Sequence, residues 1–246
     1  MNKVLSHSFI TPNWPAPLSV RAIQTTRIGG VSQTPYDSLN LGDHVKDNPQ
    51  HVARNRQMLS QYVPTEPVWL NQVHGVNVID AATSRCIENA DASYTQSPNV
   101  VCVTMTADCL PVLLCDKAGT VVAAVHAGWR SLCDGVIENA VKAMGVAPSQ
   151  LMAWLGPAIG PDAFEIGGDV RLQFVEKDQQ ATIAFKPIRD KWVGDLYTIA
   201  KQRLQSLGLD DIYGEVLCTY SNADQFFSFR RDGDTGRMAT LIWLNA

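Results

Sequence analysis

Residues 104–130 read TMTADCLPVLLCDKAGTVVAAVHAGWR, and the fold turns on how this stretch pairs with itself. The apolar runs at 99–107, 110–116 and 120–128 have the length and β-branched content of strands buried on both faces. The turn KAGT separates the last two, which are therefore predicted to form an antiparallel hairpin. Pairing outward from that turn puts His126 opposite a position between 109 and 111. Directly opposed Cβ atoms lie about 4.5–5.5 Å apart, so the Cys109 thiolate and the His126 imidazole could share a metal ion or act as nucleophile and base. A slip of one residue would send them to opposite faces.

Outward from the hairpin, strands and helices alternate. VRAIQTTR at 20–27 alternates as a strand, and a long loop rich in Gly, Pro, Asn and Ser follows. Asn48 and Pro49 make an N-cap and first-turn pair for a helix over 49–62, with Val52, Leu59 and Tyr62 inward. PVWLNQVHGVNVID reads as strand, break, strand, with His74 and Gly75 in the break. Leu132, Val136, Ile137, Ala140, Val141 and Met144 recur at helical spacing and predict one helix over 130–144, ended by Gly145. LMAWLGPAIG predicts a strand entering a Gly/Pro loop, 168–177 and 194–207 predict helices, and QFFSFRRDGDTGRMATLIWL predicts a hairpin. The mixture implies a single-domain layered α/β or α+β sandwich.

Composition excludes several classes. Of the 246 residues, 46% are hydrophobic and 18% charged, which suits a folded globular chain rather than a disordered one. The net charge of −4 with scattered Lys and Arg argues against nucleic acid or an acidic membrane as partner. No run approaches the roughly 18 apolar residues of a membrane span, and the N-terminal stretch lacks a signal sequence. A cytoplasmic protein with reduced thiols is expected, and a monomer is favoured. The six cysteines contain no Cys-x-x-Cys pair, against a zinc ribbon, a dithiol redox motif or a disulfide scaffold. Five scattered histidines cannot supply the His-x-His and His-Cys-His clusters that several coppers require.

His74, beside Gly75 in a strand break, offers a third donor to Cys109 and His126. Two His and one Cys match a zinc site with an open fourth position; a buried Cys with two carbonyl-bonded His is the plainer alternative. Here the wording becomes recognisable. RIGGVSQTPYDSLNLGDH, VWLNQVHG, ADASYT, MTADCLPVLL, AAVHAGWR, GPAIGPDAFEIGGDV and FFSFRRDGDTGRMATLIWL, in that order over nearly the whole chain, closely resemble the laccase-domain family. That family is also called the multicopper polyphenol oxidase family and includes the bacterial peptidoglycan editing factor. The resemblance implies one laccase-type domain over 1–246, a four-layer sandwich of mixed β-sheets and helices, and a metal site of His74, Cys109 and His126.

The resemblance also implies action on purine nucleosides: cleavage of adenosine, inosine or 5'-methylthioadenosine with phosphate, and deamination of adenosine. An open zinc that lowers the pKa of water to about 7 suits attack at purine C6, and a Lewis acid suits a departing purine or a bound phosphate. Zn(2+) is therefore the expected cofactor; Cu(2+) would also bind an N/S site tightly and could give phenol oxidation. The alternatives are a metal-free Cys109/His hydrolase acting on peptidoglycan precursors, a copper-dependent polyphenol oxidase, and a metal that only staples the fold. For substrate, Arg130 at the predicted start of the 130–144 helix is expected to meet phosphate. Arg27 with Asn40 is expected to grip ribose or base edges, Gln72 to bond the purine or orient a ligand, and one of Arg230 and Arg231, the former by preference, to face the cleft. Asp108 is read as a partner of the metal ligands or a cap for the bend, and Glu165 as a further acid/base. His44 and His51 read as surface groups.

Overall fold

The computed structural model describes residues 9–214 and 217–246. The hairpin forms as β6 (Leu110–Asp116) and β7 (Val122–Ala127), antiparallel, with Pro111 opposite His126 and Leu110 opposite Ala127. Every residue of both strands is buried, which is why neither shows polar alternation. They form the middle of a six-stranded mixed sheet with β3 (Val78–Asp80), β4 (Ala92–Thr95), β8 (Leu151–Leu155) and β12 (Ile212–Tyr213), ordered β12-β8-β6-β7-β4-β3. A second sheet, ordered β1-β2-β13-β5, joins β1 (Phe9–Ile10), β2 (Val20–Thr25), β5 (Cys102–Thr106) and β13 (Met238–Leu244). A small third sheet is made by β9 (Glu165–Ile166), β10 (Phe185–Ile188) and β11 (Lys191–Gly194).

The two-residue period of the strands sorts side chains into layers. Leu113, Cys115, Val122 and Ala124 pack with Cys102, Ile242 and Leu244 between the two large sheets. Leu110, Val112, Leu114, Ala123 and Val125 point the other way, onto α3 (Val136–Met144) and α5 (Leu196–Ser206). Beyond the smaller sheet, Val103, Met105, Ala239 and Leu241 meet Leu59 of α1 (Pro49–Leu59). The result is helix, sheet, sheet, helix: a mixed α/β sandwich, as expected. Cys109 and His126 share the parity of Leu113 and Val122, so both belong to the inter-sheet face.

Three local readings are corrected. The single helix over 130–144 is two, α2 (Trp129–Asp134) and α3, because Gly135 adopts φ 102°, ends the first and starts the second. The C-terminal hairpin does not form. A short helix, α6 (Phe229–Asp232), precedes β13, which pairs with the distant β2 and β5. The run MATLIWL is buried on both faces, so its pattern carries no information about its partners. In PVWLNQVHGVNVID, the first half makes only isolated bridges, Val68 with Cys102 and Asn71 with Asn89.

Helix α1 begins as read, with the Asn48 side chain accepting from the Gln50 N–H. It ends at Leu59 rather than near 62. Its buried Asn55 accepts from the Val31 N–H and donates to the Ser38 and Asn40 carbonyls. One amide thereby organises the strandless loop after β2. Helix α4 (Gly168–Lys177) and α5 appear where periodicity placed them. Among the described residues, no helix is long and apolar enough to cross a membrane.

Candidate metal centre and its cavity

The β6–β7 hairpin and a loop distant from it in sequence bring three donors together. Cys109 immediately precedes β6 and His126 lies in β7, a diagonal pair two positions out of direct opposition but on one face. His74 comes from the loop before β3 and adopts φ 59°, an uncommon conformation for a residue with a Cβ. The donor atoms of His74, Cys109 and His126 lie within 4.8 Å of one another. Cys109 Sγ is 3.7 Å from His74 Nε2, and the two imidazole rings meet edge to face with centroids 4.8 Å apart. Burial is graded: His126 is 3% exposed, Cys109 half-buried and His74 exposed, so the cluster opens on the His74 side.

Asp91, a residue that sequence reasoning quoted within ADASYT but gave no role, holds this geometry. Its buried carboxylate lies 2.8 Å from His126 Nδ1, which leaves Nε2 as the free ring nitrogen. The same carboxylate accepts the successive N–H groups of Val73, His74 and Gly75 at 3.2, 2.9 and 2.6 Å. The left-handed turn at His74 aims these donors inward, as in an anion-binding nest. Burial pushes the Asp91 pKa up, but the bonds from His126 and from Gly75 and His74 outweigh it and hold the carboxylate below its usual range. Burial likewise raises the Cys109 thiol, and the His126 charge and hydrogen bond, with His74, reverse the direction and favour thiolate. His126 is driven the other way, toward imidazolium, by Cys109 and Asp91 against its own burial.

Two imidazoles and a thiolate at this spacing suit one ion with N/S ligation, and the exposed side leaves a position for a further ligand. Gly128 supplies an independent test of fit. A Cβ there would lie 2.7 Å from His74 Cδ2 and 3.1 Å from Cys109 Sγ. Its φ of −62° requires no glycine, and the bare backbone leaves His74 and Cys109 room to approach each other. Gly128→Ala is therefore expected to weaken metal affinity by roughly 10–100-fold, the range seen when support around ligands is lost, with little change in folding. Metal titration of the variant checks this. Among the described residues, no second group of three His, Cys, Asp or Glu donors has metal-binding spacing, so the ligands suffice for one centre and not for several coppers.

The cluster forms part of a cavity of about 490 Å³, within the usual range for small-molecule sites. Arg130 and Arg230 line it, together with Trp129, Phe164 and Phe229. Arg130 stacks on Trp129 at 4.5 Å from the ring centroid, on a helix of only six residues after the split at Gly135. Arg230 donates from Nη1 to the Glu165 carbonyl at 2.9 Å, whereas Arg231 bonds the Thr219, Tyr220 and Phe226 carbonyls and pairs with Asp232. Only Arg230 of that pair lines the cavity.

Other expected site residues are placed differently. Gln72 lines the cavity, but both ends of its amide are bonded to Met105, Oε1 accepting at 2.7 Å and Nε2 donating at 2.8 Å; it pins the His74 loop to β5. Arg27 lies outside, in a separate shallow cleft, bonded to the Asp37 and Ala223 carbonyls and stacked on Phe227. Asn40 is fully buried, with its amide spent on Gly42, Asp47 and the Arg237 N–H, so it has nothing left for ribose. Asp108 takes up φ 96° at the bend and accepts from the Thr219 hydroxyl and the Arg230 N–H instead of bonding a ligand. Glu165 is ion-paired with Lys191 outside the cavity lining. His51 stays in the first turn of α1, near Asp47, while His44, read as a surface group, lines the cavity. Arg237 also lines the cavity and was missed, though GRMATL was quoted.

A family profile described as multi-copper polyphenol oxidoreductase laccase matches residues 21–245. The chain is 53% identical over 238 residues to the Escherichia coli protein called purine nucleoside phosphorylase YfiH, covering 96% of this chain and 98% of that one. It is 51% identical over 239 residues to a Haemophilus influenzae protein called purine nucleoside phosphorylase, covering 95% and 98%. The crystal structure of a Neisseria meningitidis protein superposes with a TM-score of 0.96 at 51% identity, covering 97% of this chain and all of that one. With the match running from β2 to the last residue but one and the same fold in a solved relative, the chain belongs to the multi-copper polyphenol oxidoreductase laccase family.

Proposed function

We propose that this chain is a purine nucleoside phosphorylase that holds one zinc ion on His74, Cys109 and His126 and also deaminates adenosine. The observation that carries the reading is the convergence of these donors in a cavity lined by Arg130, Arg230, Arg237 and aromatic rings. The names of the E. coli and H. influenzae relatives support the same reaction class. The single donor cluster favours a hydrolytic or transfer centre over multi-copper oxidation.

In phosphorolysis a phosphate oxygen forms a bond to C1' as the C1'–N9 bond breaks. The purine leaves with the bonding pair and takes up the proton that phosphate brings, giving free base and ribose 1-phosphate. Zinc at this site supplies a Lewis acid and, for deamination, acidified water. Asp91 keeps His126 Nε2 turned toward the cluster. Trp129, Phe164 and Phe229 provide flat apolar walls for a base, and Arg130 and Arg230 provide positive charge for phosphate.

The test is conversion of inosine to hypoxanthine and ribose 1-phosphate by protein of assayed metal content. The expected result is turnover that requires both phosphate and about one zinc per chain. Ammonia release from adenosine without phosphate reports the second activity. Phosphate-dependent turnover that survives complete metal removal would overturn the zinc reading, and thiol-dependent hydrolysis that needs neither metal nor phosphate would favour the Cys109 hydrolase instead.

A further inference from the structure

Several arginines of this chain are neutralised by carboxylates: Arg27 by Asp37, Arg56 by Asp43, Arg203 by Glu138 and Arg231 by Asp232. The three arginines that line the cavity, Arg130, Arg230 and Arg237, have no such partner among the described residues, and of these Arg237 is the one that is not exposed. No described carboxylate lies within 4.0 Å of its guanidinium. Its side-chain hydrogen bonds all leave from one nitrogen, Nη1, to the carbonyls of Thr235 and Gly236 at 2.8 and 3.0 Å. Nε and Nη2 have no hydrogen-bond partner among the described residues and are not sealed in the protein interior. They form one edge of the guanidinium fork, the edge that can donate to two oxygens of a phosphate at once.

The side chain is held in place before any ligand arrives. A Cβ on Gly42 would stand 2.8 Å from Arg237 Cγ, so the bare glycine backbone packs directly on the arginine stem. The Arg237 N–H donates to Asn40 Oδ1 at 2.9 Å, and its carbonyl accepts from the Leu41 N–H at 3.1 Å. Buried Asn40 is thus a positioning residue for the arginine rather than a ligand of ribose. The guanidinium lies 5.9 Å from the Phe229 centroid, and the charges of Cys109 and Asp108 bear on it, which places it near the metal ligands. Asp108 makes no ion pair with it within 4.0 Å; its two carboxylate oxygens accept from the Thr219 hydroxyl and the Arg230 N–H. Arg130 and Arg230 are exposed, so water competes for them more strongly than for half-buried Arg237.

We propose that Arg237, through its free Nε and Nη2 edge, anchors inorganic phosphate in the cavity beside the metal ligands. The role assigned to that phosphate, attack at C1', rests on the phosphorylase reading, whereas the oxyanion site stands on the geometry alone.

The test compares wild type, Arg237→Gln, Arg237→Lys and Arg130→Gln in two assays. In the first, inorganic phosphate is titrated against melting temperature and by calorimetry with metal-stripped protein, which needs no turnover. In the second, KM is measured separately for phosphate and inosine with loaded enzyme. Arg237→Gln is expected to weaken phosphate binding roughly tenfold or more and to raise KM for phosphate alike, leaving KM for inosine within about twofold. Arg237→Lys restores charge without the fork and should recover only part of the loss. Should Arg237→Gln fail to fold, Gly42→Ala, which displaces the stem, is expected to give the same selective loss. Unchanged phosphate affinity in both Arg237→Gln and Gly42→Ala, equal losses for phosphate and inosine, or a larger effect from Arg130→Gln would overturn the proposal. Wild-type protein that binds phosphate through Arg237 but leaves inosine intact would sink the phosphorylase reading and sustain the anion site.

Discussion

Replacing Cys109 by Ala is expected to lower phosphate-dependent inosine cleavage by about a thousandfold while moving the melting temperature by no more than about 3 °C. The activity loss follows from ligation. Cys109 is the sole thiolate among the donors, and two imidazoles alone leave a site with fewer protein ligands than zinc ordinarily takes. A metal contribution of several kcal/mol to stabilising transition-state charge corresponds to about three powers of ten in rate. The small thermal effect follows from position. Cys109 is half-buried and precedes β6, whose apolar residues 112–115 are all shielded from solvent, so the hairpin and its sheet neighbours do not depend on the thiol. Inosine assays, metal analysis and thermal melts on one preparation check all three quantities. Loss of folding together with loss of metal would instead identify a structural staple.

Asp91→Ala is expected to destabilise the protein by about 3–5 kcal/mol and to reduce metal affinity by about 10–100-fold. No other carboxylate described here receives so many bonds at the centre. It satisfies the N–H groups of Val73, His74 and Gly75 and the Nδ1 of His126, and it is wholly buried. Removing it leaves several donors without an acceptor and frees the left-handed turn at His74 to relax. Asp91→Asn preserves the shape and one acceptor but loses the charge, so it should fold with intermediate stability and bind metal poorly. Because the folded-state pKa of Asp91 lies below its usual value, its contribution is present at neutral pH and is lost as pH falls through that depressed pKa. Urea unfolding of the wild type and both variants at neutral and acidic pH measures the two effects. Equal stability of Asp91→Ala and wild type at neutral pH would refute this account.

Much of the site was legible because it depends on local pattern. A hairpin with one short turn forces 109 and 126 together to within a residue or two, and the scarcity of histidine made His74 conspicuous. Asp91 escaped notice for a physical reason: its partners are three backbone amides and a ring nitrogen from elsewhere in the chain, and backbone donors leave no mark in a sequence. Arg27 and Asn40 do not line the cavity, because a polar residue in a Gly-rich loop can face a ligand or the chain itself. Here Asn55 and Asp37 turn the loop inward upon them.

From the sequence alone came the layered α/β class, the central hairpin, α1, α4 and α5, and the grouping of His74, Cys109 and His126, since these rest on residue periodicity, caps, one short connection and recognisable motifs. The tertiary structure decided what long-range pairing controls: β13 inserted between β2 and β5, the 130–144 helix cut at Gly135, the Asp91 support and the free edge of Arg237. A strand buried on both faces carries no label for its neighbour, and an arginine is free or spent according to where distant carbonyls and carboxylates happen to lie.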